Sequence, residues 1–568
     1  MTVVIVGGVA GGASCAARLR RLDETAEIIM IDREPYVSYA TCGLPYFISE
    51  EITDRSKLTL QTPQSFKSRF NIDVRVKEEV TKIDRTAKTV TVKKLEGGEE
   101  YTINYDKLVL SPGAKPIRPP LPGIENDRIF TLRGIPDADK IKAFIAEKKP
   151  KKAVVIGAGF IGLEVAEGLH RIGIEVVVIE KLDHVLGPFD FDMACDLHHH
   201  IRSKNVSLKL NTGVTGFVTK PSGIGIDIGT EVIDADFVLL SVGVRPESIL
   251  AKEAGVALNP FGRIAVNENL RTDDEHIYAI GDAIEITDFV AKDKVWIPLA
   301  GPANRQGRIV ADNLAGQKTH YSGAIGSSIV RVFDMTAGCV GLNERRCQAL
   351  KLNYEKVFTY TAAHAGYFPG STMMSVKLLF EKGTGTIYGA QIVGFEGIDK
   401  RLDVLATAIH GKMKVTDLTE LELTYAPPFG SAKDVVNMVG YVAENVLQGK
   451  VEQFFWHDVK CLEEKKEFII DVRTKAEYDN GHLATSVHLP LDSLRTTINE
   501  KPDTLPKDRV IYVHCQSGLR SYIACRMLTQ KGYKCKNLAG GWRLLNSVTK
   551  EVQSGPSHQL PCGAKPLN

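Results

Sequence analysis

The chain holds ten cysteines, at positions 15, 42, 195, 339, 347, 461, 515, 525, 535 and 562, with no CxxC pair among them. That scatter along 568 residues argues against a zinc site or a disulfide framework, so no metal is expected and most of these thiols read as buried and inert. Two stand in settings that point to chemistry. Cys42 lies in YVSYATCGLPY, shortly after an apolar strand that ends in an acid, and Cys515 lies in VIYVHCQSGLRS, after an apolar strand and five residues before Arg520. A thiolate is both a nucleophile and an electron donor, and these two positions are where such chemistry is sought.

The elements around them are legible. Two stretches share one pattern, an apolar strand, a glycine-rich turn and a helix: VVIVGGVAGGASCAARLRRL from Val3 and AVVIGAGFIGLEVAEGLHRIG from Ala153. Each runs on to a second apolar strand ending in an acid, Asp32 in the first and Glu180 in the second. This is the signature of two dinucleotide-binding units. The second turn has Gly157, Gly159 and Gly162 in full GxGxxG spacing, with Glu180 23 residues after the first glycine. The first places Gly7, Gly8, Gly11 and Gly12 around Val9, which occupies the middle-glycine position. A backbone that approaches a pyrophosphate, and a helix N-terminus that attracts it, remain available there. Glu180 can accept bonds from a ribose 2′-hydroxyl and repels a 2′-phosphate, so NADH is favoured, although Lys181 beside it leaves NADPH open.

Bulk properties bound the answer. A chain of 568 residues is too long for one core, and hydrophobic and charged fractions of 43% and 25% are those of a globular protein. A formal net charge of +2 gives no case for nucleic acid or an anionic membrane as partner. The opening MTVVIVGGVAGG reads as a buried strand running into a turn, not a leader, and no apolar run of about 18 residues is present, so a cytoplasmic protein is expected. His198, His199 and His200 are consecutive, point in different directions on a helix, and read as a partly exposed helix face and not a metal site.

Two further segments, YDKLVLSPGAKP with Gly113 and HIYAIGDA with Gly281 and Asp282, complete a resemblance to the pyridine nucleotide-disulfide oxidoreductases. The resemblance implies an α/β architecture: two dinucleotide-binding Rossmann-like domains, then an α+β dimerisation domain. Its expected boundaries are an FAD domain of residues 1–114 and 244–321, an NAD domain of 115–243 and a dimerisation domain of 322–446. After a linker at 447–460, FIIDVR, GHLATSVHLP, VIYVHCQSGLRS and NLAGGW resemble a rhodanese. They imply a small α/β domain at 461–550, followed by a loose tail at 551–568 rich in Gly, Pro and Ser.

Within that family, Ser38 and Cys42 hold the positions of the SFxxCG signature of the single-cysteine branch. Two-cysteine relatives carry a partner five residues away, but positions 37 and 47 are Val and Phe, so the second sulfur must come from outside. Peroxidases and oxidases of the branch carry a histidine where this chain has Ala10, which counts against oxygen chemistry. The region resembles coenzyme A disulfide reductases, which implies CoA contacts at Ser14, Arg18, Arg21, Ser38, Thr41, Asn304 and Lys433. Arg18 and Arg21 share a helix face that Arg20 cannot share. Tyr367 and Tyr425 match a pair of phenols that reach a partner's cysteine, which implies a homodimer. In the rhodanese-like part, a short loop of amides with a helix behind it forms an anion nest sized for one extra sulfur on Cys515, with Arg520, Glu477 and DVR at 471 completing the pattern.

The expectation is therefore an FAD-dependent enzyme that passes electrons from NADH to Cys42, which reduces a persulfide, polysulfide or CoA disulfide. The rhodanese-like domain handles sulfane sulfur, and CoA is carrier or bound cofactor. Alternatives are a CoA disulfide reductase for thiol homeostasis, an NADH oxidase or peroxidase, and a redox-sensing binding protein.

Overall fold

The computed structural model describes residues 1–554, and the rest of the expected tail, with Cys562, lies outside the described residues. The chain divides into two compact units, one of Met1–Ile179 with Thr212–Gly326, the other of Glu180–Asn211 with the chain from Ser327 onward. Each is described by itself.

In the first unit, strand Thr2–Val6 lies between Glu27–Asp32 and Lys107–Leu110, flanked by Asp73–Val76 and Ile277–Ala279, all parallel. The central strands are buried along most of their length, as expected of a parallel sheet covered on both faces. Helix Ala10–Leu22 returns across the sheet and packs on helix Ala300–Leu314, which approaches so closely that a Cβ on Gly307 would lie 2.3 Å from Gly11 O. A second parallel set repeats the plan: Lys152–Ile156 lies between Glu175–Ile179 and Phe237–Leu240, with Ile129–Phe130 at one side. Each set carries a three-stranded antiparallel sheet, at 78–104 and at 216–235. The two repeats of strand, glycine turn and helix are those read from sequence.

The second unit holds a five-stranded antiparallel sheet in the order Ser328–Val332, Met335–Gly341, Ile387–Gly394, Met373–Glu381 and Tyr354–Ala362. Helices Ile398–His410 and Val435–Leu447 accompany it. Lys377 is fully buried in this sheet and is held by Asp190, Asp192 and Glu344 at 2.8–2.9 Å. Removing one member of such a cluster leaves an uncompensated buried charge. A parallel five-stranded sheet follows, Glu452–Phe454, Cys535–Leu538, Ile511–His514, Phe468–Asp471 and Val487–His488.

Two details depart from the sequence reading. Residues 452–454, expected in a linker, add an edge strand to this last sheet. Glu551, expected in a loose tail, belongs to helix Gly541–Ser554 and is buried, with its carboxylate on Arg202 at 3.0 Å through Nη2. Among the described residues no helix is long and apolar enough to cross a membrane.

Candidate functional site

The first glycine turn is built on steric necessity. Gly7 has φ +96°, and a Cβ on Gly12 would sit 1.9 Å from Gly7 O, so neither position admits a side chain. A Cβ on Gly8 would meet Val37 Cγ1 at 2.6 Å, so the glycine is needed there and Val9 is tolerated one residue later. Asp32 ends its strand beside this turn, accepting from Gly8 N at 2.8 Å and Glu34 N at 2.9 Å. Burial pushes its carboxyl upward against those two bonds. A turn that side chains cannot enter, a helix N-terminus and a buried acid together fit an adenine dinucleotide.

Gly113 has φ +73° and open space where a Cβ would stand, and burial pushes the carboxyl of Asp282 up. Gly281, at φ +77°, turns the chain into Asp282, and its amide donates to Gln306 Oε1 at 2.7 Å. Gln306 is buried and was not singled out from sequence, because its partner lies 25 residues away and no motif marks it.

Cys42 is exposed, in the single 3₁₀ turn Thr41–Gly43 that leads into helix Leu44–Ile48. The segment before it is stitched to the glycine turn: Ser38 N donates to Gly8 O at 2.8 Å, and Ser38 O accepts from Leu60 N at 2.9 Å. Ser38 takes φ +46°, a left-handed conformation a serine enters only where its surroundings hold it. Cys42 is thus fixed relative to the nucleotide turn by backbone bonds.

Six of the seven residues expected to contact CoA, all but Lys433, lie in the first unit. Ser14 Oγ donates to Asn304 Oδ1 at 2.6 Å, so this pair is brought together. Arg18 is half-buried with its Nε on Asp312 Oδ1 at 2.8 Å, which spends part of the guanidinium inside the protein. Arg21 is exposed, whereas Arg20 is buried and donates to five carbonyls, those of Phe70, Asp23, Glu24, Ala26 and Asn71. Arg20 is structural and off the face of the other two, as the helix spacing requires. Thr41 adjoins Cys42 and is exposed.

In the second turn Gly157 has φ +99°, and a Cβ on Gly162 would lie 1.9 Å from Gly157 O, whereas one on Gly159 would meet nothing within 4 Å. The middle position thus opens to space a ligand backbone could use. Glu180, in the other unit, turns Oε1 to Leu182 N at 2.9 Å.

Tyr367 and Tyr425 are 76% and 46% exposed, and their hydroxyls lie 2.8 Å apart. The hydrogen bond to Tyr425 raises Tyr367 above the ordinary phenol range. Their loops are joined by Ala365 N donating to Gly430 O at 2.9 Å. Buried Arg401 reaches Ala363 O at 2.8 Å, Phe429 O at 3.4 Å and the Asp434 carboxylate at 2.8 Å, so one side chain holds both loops. Lys433, next to Asp434, is exposed. Arg401 was invisible to sequence reading because its partners come from three separate segments.

Cys515 is 0% exposed, at the base of a loop that ends at Arg520. Its Sγ lies 3.2 Å from Gly518 N and 3.2 Å from buried Ser521 Oγ, two donors that favour an anionic sulfur. Helix Gly541–Ser554 starts against this loop: Trp542 N donates to Cys515 O at 2.7 Å and Arg543 N to Gln516 O at 2.9 Å. A Cβ on Gly541 would lie 2.7 Å from Cys515 O, so the GG of NLAGGW is what lets the helix come this close. Arg520 makes a two-pronged pair with Glu477 at 2.7 and 2.6 Å, which brings that carboxyl down to about 2. His514 beside the cysteine is brought down to about 4 by burial and is neutral at physiological pH. Ser521 was missed from sequence; it lies one residue past the motif.

Burial pushes Cys15 and Cys347 up to about 12 and Cys339 to about 11. One of the three histidines is corrected: His198 is fully buried, accepting from Val185 N at 3.1 Å, because helix Gly541–Ser554 covers it, whereas His199 and His200 are partly exposed as expected. His199 reaches Ser547 O at 2.9 Å and His200 lies 2.8 Å from Asp334, so the three side chains do go to separate partners.

Comparison with known proteins agrees with this geometry. Residues 1–307 match the pyridine nucleotide-disulphide oxidoreductases, 327–435 that family's dimerisation domain, and 457–547 the rhodanese-like domain. Over 449 residues the chain is 36% identical to the coenzyme A disulfide reductase of Staphylococcus haemolyticus, covering 78% of this chain and 99% of that one. It is 49% identical to the solved structure of reduced Bacillus anthracis CoADR-RHD, with a TM-score of 0.94 over 97% of this chain and 98% of that one. A NAD-dependent persulfide reductase from A. fulgidus is 38% identical, with a TM-score of 0.88 over 96% and 100% of the two chains. The chain belongs to the pyridine nucleotide-disulphide oxidoreductase family, with a rhodanese-like domain after its dimerisation domain.

Proposed function

We propose that the protein is a cytoplasmic, homodimeric reductase that uses NADH to cleave sulfur–sulfur bonds, with CoA persulfide or polysulfide as its physiological substrate and CoA disulfide as a second one. One observation carries the reading: Cys42 is exposed beside a nucleotide turn, and it is the only cysteine between positions 15 and 195. The sulfur it reacts with must therefore arrive on a substrate. FAD, when bound, supplies the two electrons that NADH delivers.

The chain's own residues do the rest. Gly7, Gly8, Gly11, Gly12, Asp32, Gly113, Gly281 and Asp282 would hold the flavin nucleotide. Gly157, Gly159 and Gly162 would receive NADH. Cys42 thiolate attacks the inner sulfur of CoA persulfide, forming a mixed disulfide and expelling hydrosulfide; two electrons and a proton then return the thiolate and release CoA thiol. With CoA disulfide the first leaving group is CoA thiolate instead. Tyr367 and Tyr425, exposed and hydrogen-bonded to each other, serve the cysteine of the second copy by giving the leaving thiolate its proton. Ser14, Asn304, Arg21, Thr41 and Ser38 position CoA, with Arg18 contributing the guanidinium nitrogens that Asp312 leaves free. Ala10 puts no imidazole at the turn, which disfavours an oxidase. Cys515, held by Gly518 and Ser521, takes up or hands on the sulfane sulfur.

The reading is tested by kcat/KM for CoA persulfide against CoA disulfide, with NADH saturating. A higher value for the persulfide, and slower sulfide release from polysulfide in Cys515→Ser, are expected. A preference for CoA disulfide with Cys515→Ser unchanged would leave a thiol-pool reductase with an accessory domain.

A further inference from the structure

Beyond this reaction, the rhodanese-like domain holds two thiols, Cys525 and Cys535, that the chemistry above does not use, both unbonded. Cys525 lies in helix Leu519–Gln530, and Cys535 opens the strand Cys535–Leu538 on which that helix packs. The Cys535 thiol donates to Cys525 O at 3.4 Å and lies 3.3 Å from Thr529 Oγ1, which sets it against the residue that carries the other thiol. Cys525 is sealed in the core and Cys535 is partly exposed. A reagent from solvent therefore meets Cys535 first, with Cys525 already against the sulfur it modifies. That is the arrangement of an attacking and a resolving thiol. The neighbouring Cys525 thiol brings Cys535 down to about 7, within the range where a thiolate is present at neutral pH, while Cys525 is pushed up.

Both elements that carry the pair also carry the Cys515 loop. Helix Leu519–Gln530 opens with Arg520 and Ser521, and on the strand Asn537 Nδ2 donates to Gly518 O at 3.2 Å. We infer that Cys525 and Cys535 are a second redox couple, which low-molecular-weight disulfides close to an intramolecular disulfide that restrains the Cys515 loop. The steps balance. Cys535 thiolate attacks a disulfide RSSR, forming Cys535–S–S–R and releasing RS⁻. Cys525 then gives up its proton and attacks the Cys535 sulfur, releasing the second RSH. Two protein thiols are oxidised and one external disulfide is reduced to two thiols, with no other oxidant.

The experiment uses the full-length protein and glutathione disulfide without NADH, followed by non-reducing peptide mapping. The wild type is expected to yield a Cys525–Cys535 crosslinked peptide without glutathione, and Cys525→Ser a stable glutathione adduct on Cys535. Sulfur transfer by Cys515 is expected to slow roughly threefold or more in the closed form and to recover with dithiothreitol. Cys535→Ser treated the same way is expected to keep its rate. A stable adduct on Cys535 in the wild type, no reaction at Cys535, or equal slowing in Cys535→Ser overturns the proposal.

Discussion

Ser521→Ala tests the Cys515 site most sharply. The Ser521 hydroxyl lies 3.2 Å from Cys515 Sγ and also 3.2 Å from Gly518 O, and it has one proton to give. When the sulfur is anionic, as thiolate or persulfide, the proton goes to sulfur, because a bond to a charged acceptor is the stronger. Ser521 is fully buried, so no bulk water replaces the hydroxyl. A net bond to a charged group contributes about 1.5–3 kcal/mol, which is roughly a tenfold to 150-fold loss in kcat/KM for sulfur transfer. The structural cost is small, since Gly518 O still accepts from Asn537 Nδ2 at 3.2 Å and Gly518 N still donates to Sγ. The assay is thiocyanate formation from cyanide with a persulfide donor, run beside NADH oxidation with CoA disulfide, which uses Cys42 and is expected to be unchanged. Sulfur transfer within twofold of wild type, by a variant of unaltered melting temperature, would refute the claim that this hydroxyl holds the anion.

Three other outcomes are expected. Asp32→Ala removes the acceptor of two amides and the acid of the first nucleotide site, so the purified protein should lose its flavin absorbance on desalting, and full retention would count against that site. Arg401→Leu leaves Asp434 buried without its partner and should cost about 3–5 kcal/mol in chemical denaturation, with Arg401→Lys recovering part; a loss under about 1 kcal/mol would remove Arg401 as the tie between the tyrosine loops. Glu551 is raised by burial but lowered further by His198 and Arg202, to about 2 from an ordinary 4.5. Its contribution is complete above about pH 4.5 and is lost as the pH falls toward about 2, so the gap in melting temperature between wild type and Glu551→Gln should narrow on acidification, and a pH-independent gap would contradict the pairing.

What could be read from sequence was whatever the backbone demands locally. Gly12 and Gly162 are forced by a carbonyl of their own turns, and Gly7 and Gly157 by a positive φ, so strand, turn and helix announced themselves twice, and Cys42 stood out by having no second cysteine nearby. Val9 looked like a defect until Gly8 proved to be the position pressed against Val37. What stayed hidden depends on contacts between distant segments. Gln306 holds Gly281, Arg401 gathers three loops, and Arg202 meets Glu551 across 349 positions, none with a periodicity to betray it. The same distance explains His198: it reads as partly exposed because the helix that covers it lies far along the chain. The edge strand at 452–454 was lost because three residues are too few for an alternation to register.

The central claim is that one cysteine, Cys42, carries the reduction and that its second sulfur comes with the substrate. The direct measurement is NADH-dependent thiol and sulfide release from CoA persulfide and CoA disulfide by Cys42→Ser, with the flavin spectrum followed in the same mixture. The predicted result is that NADH still bleaches the flavin while product release falls to background with both substrates. Release at the wild-type rate from either substrate would contradict it.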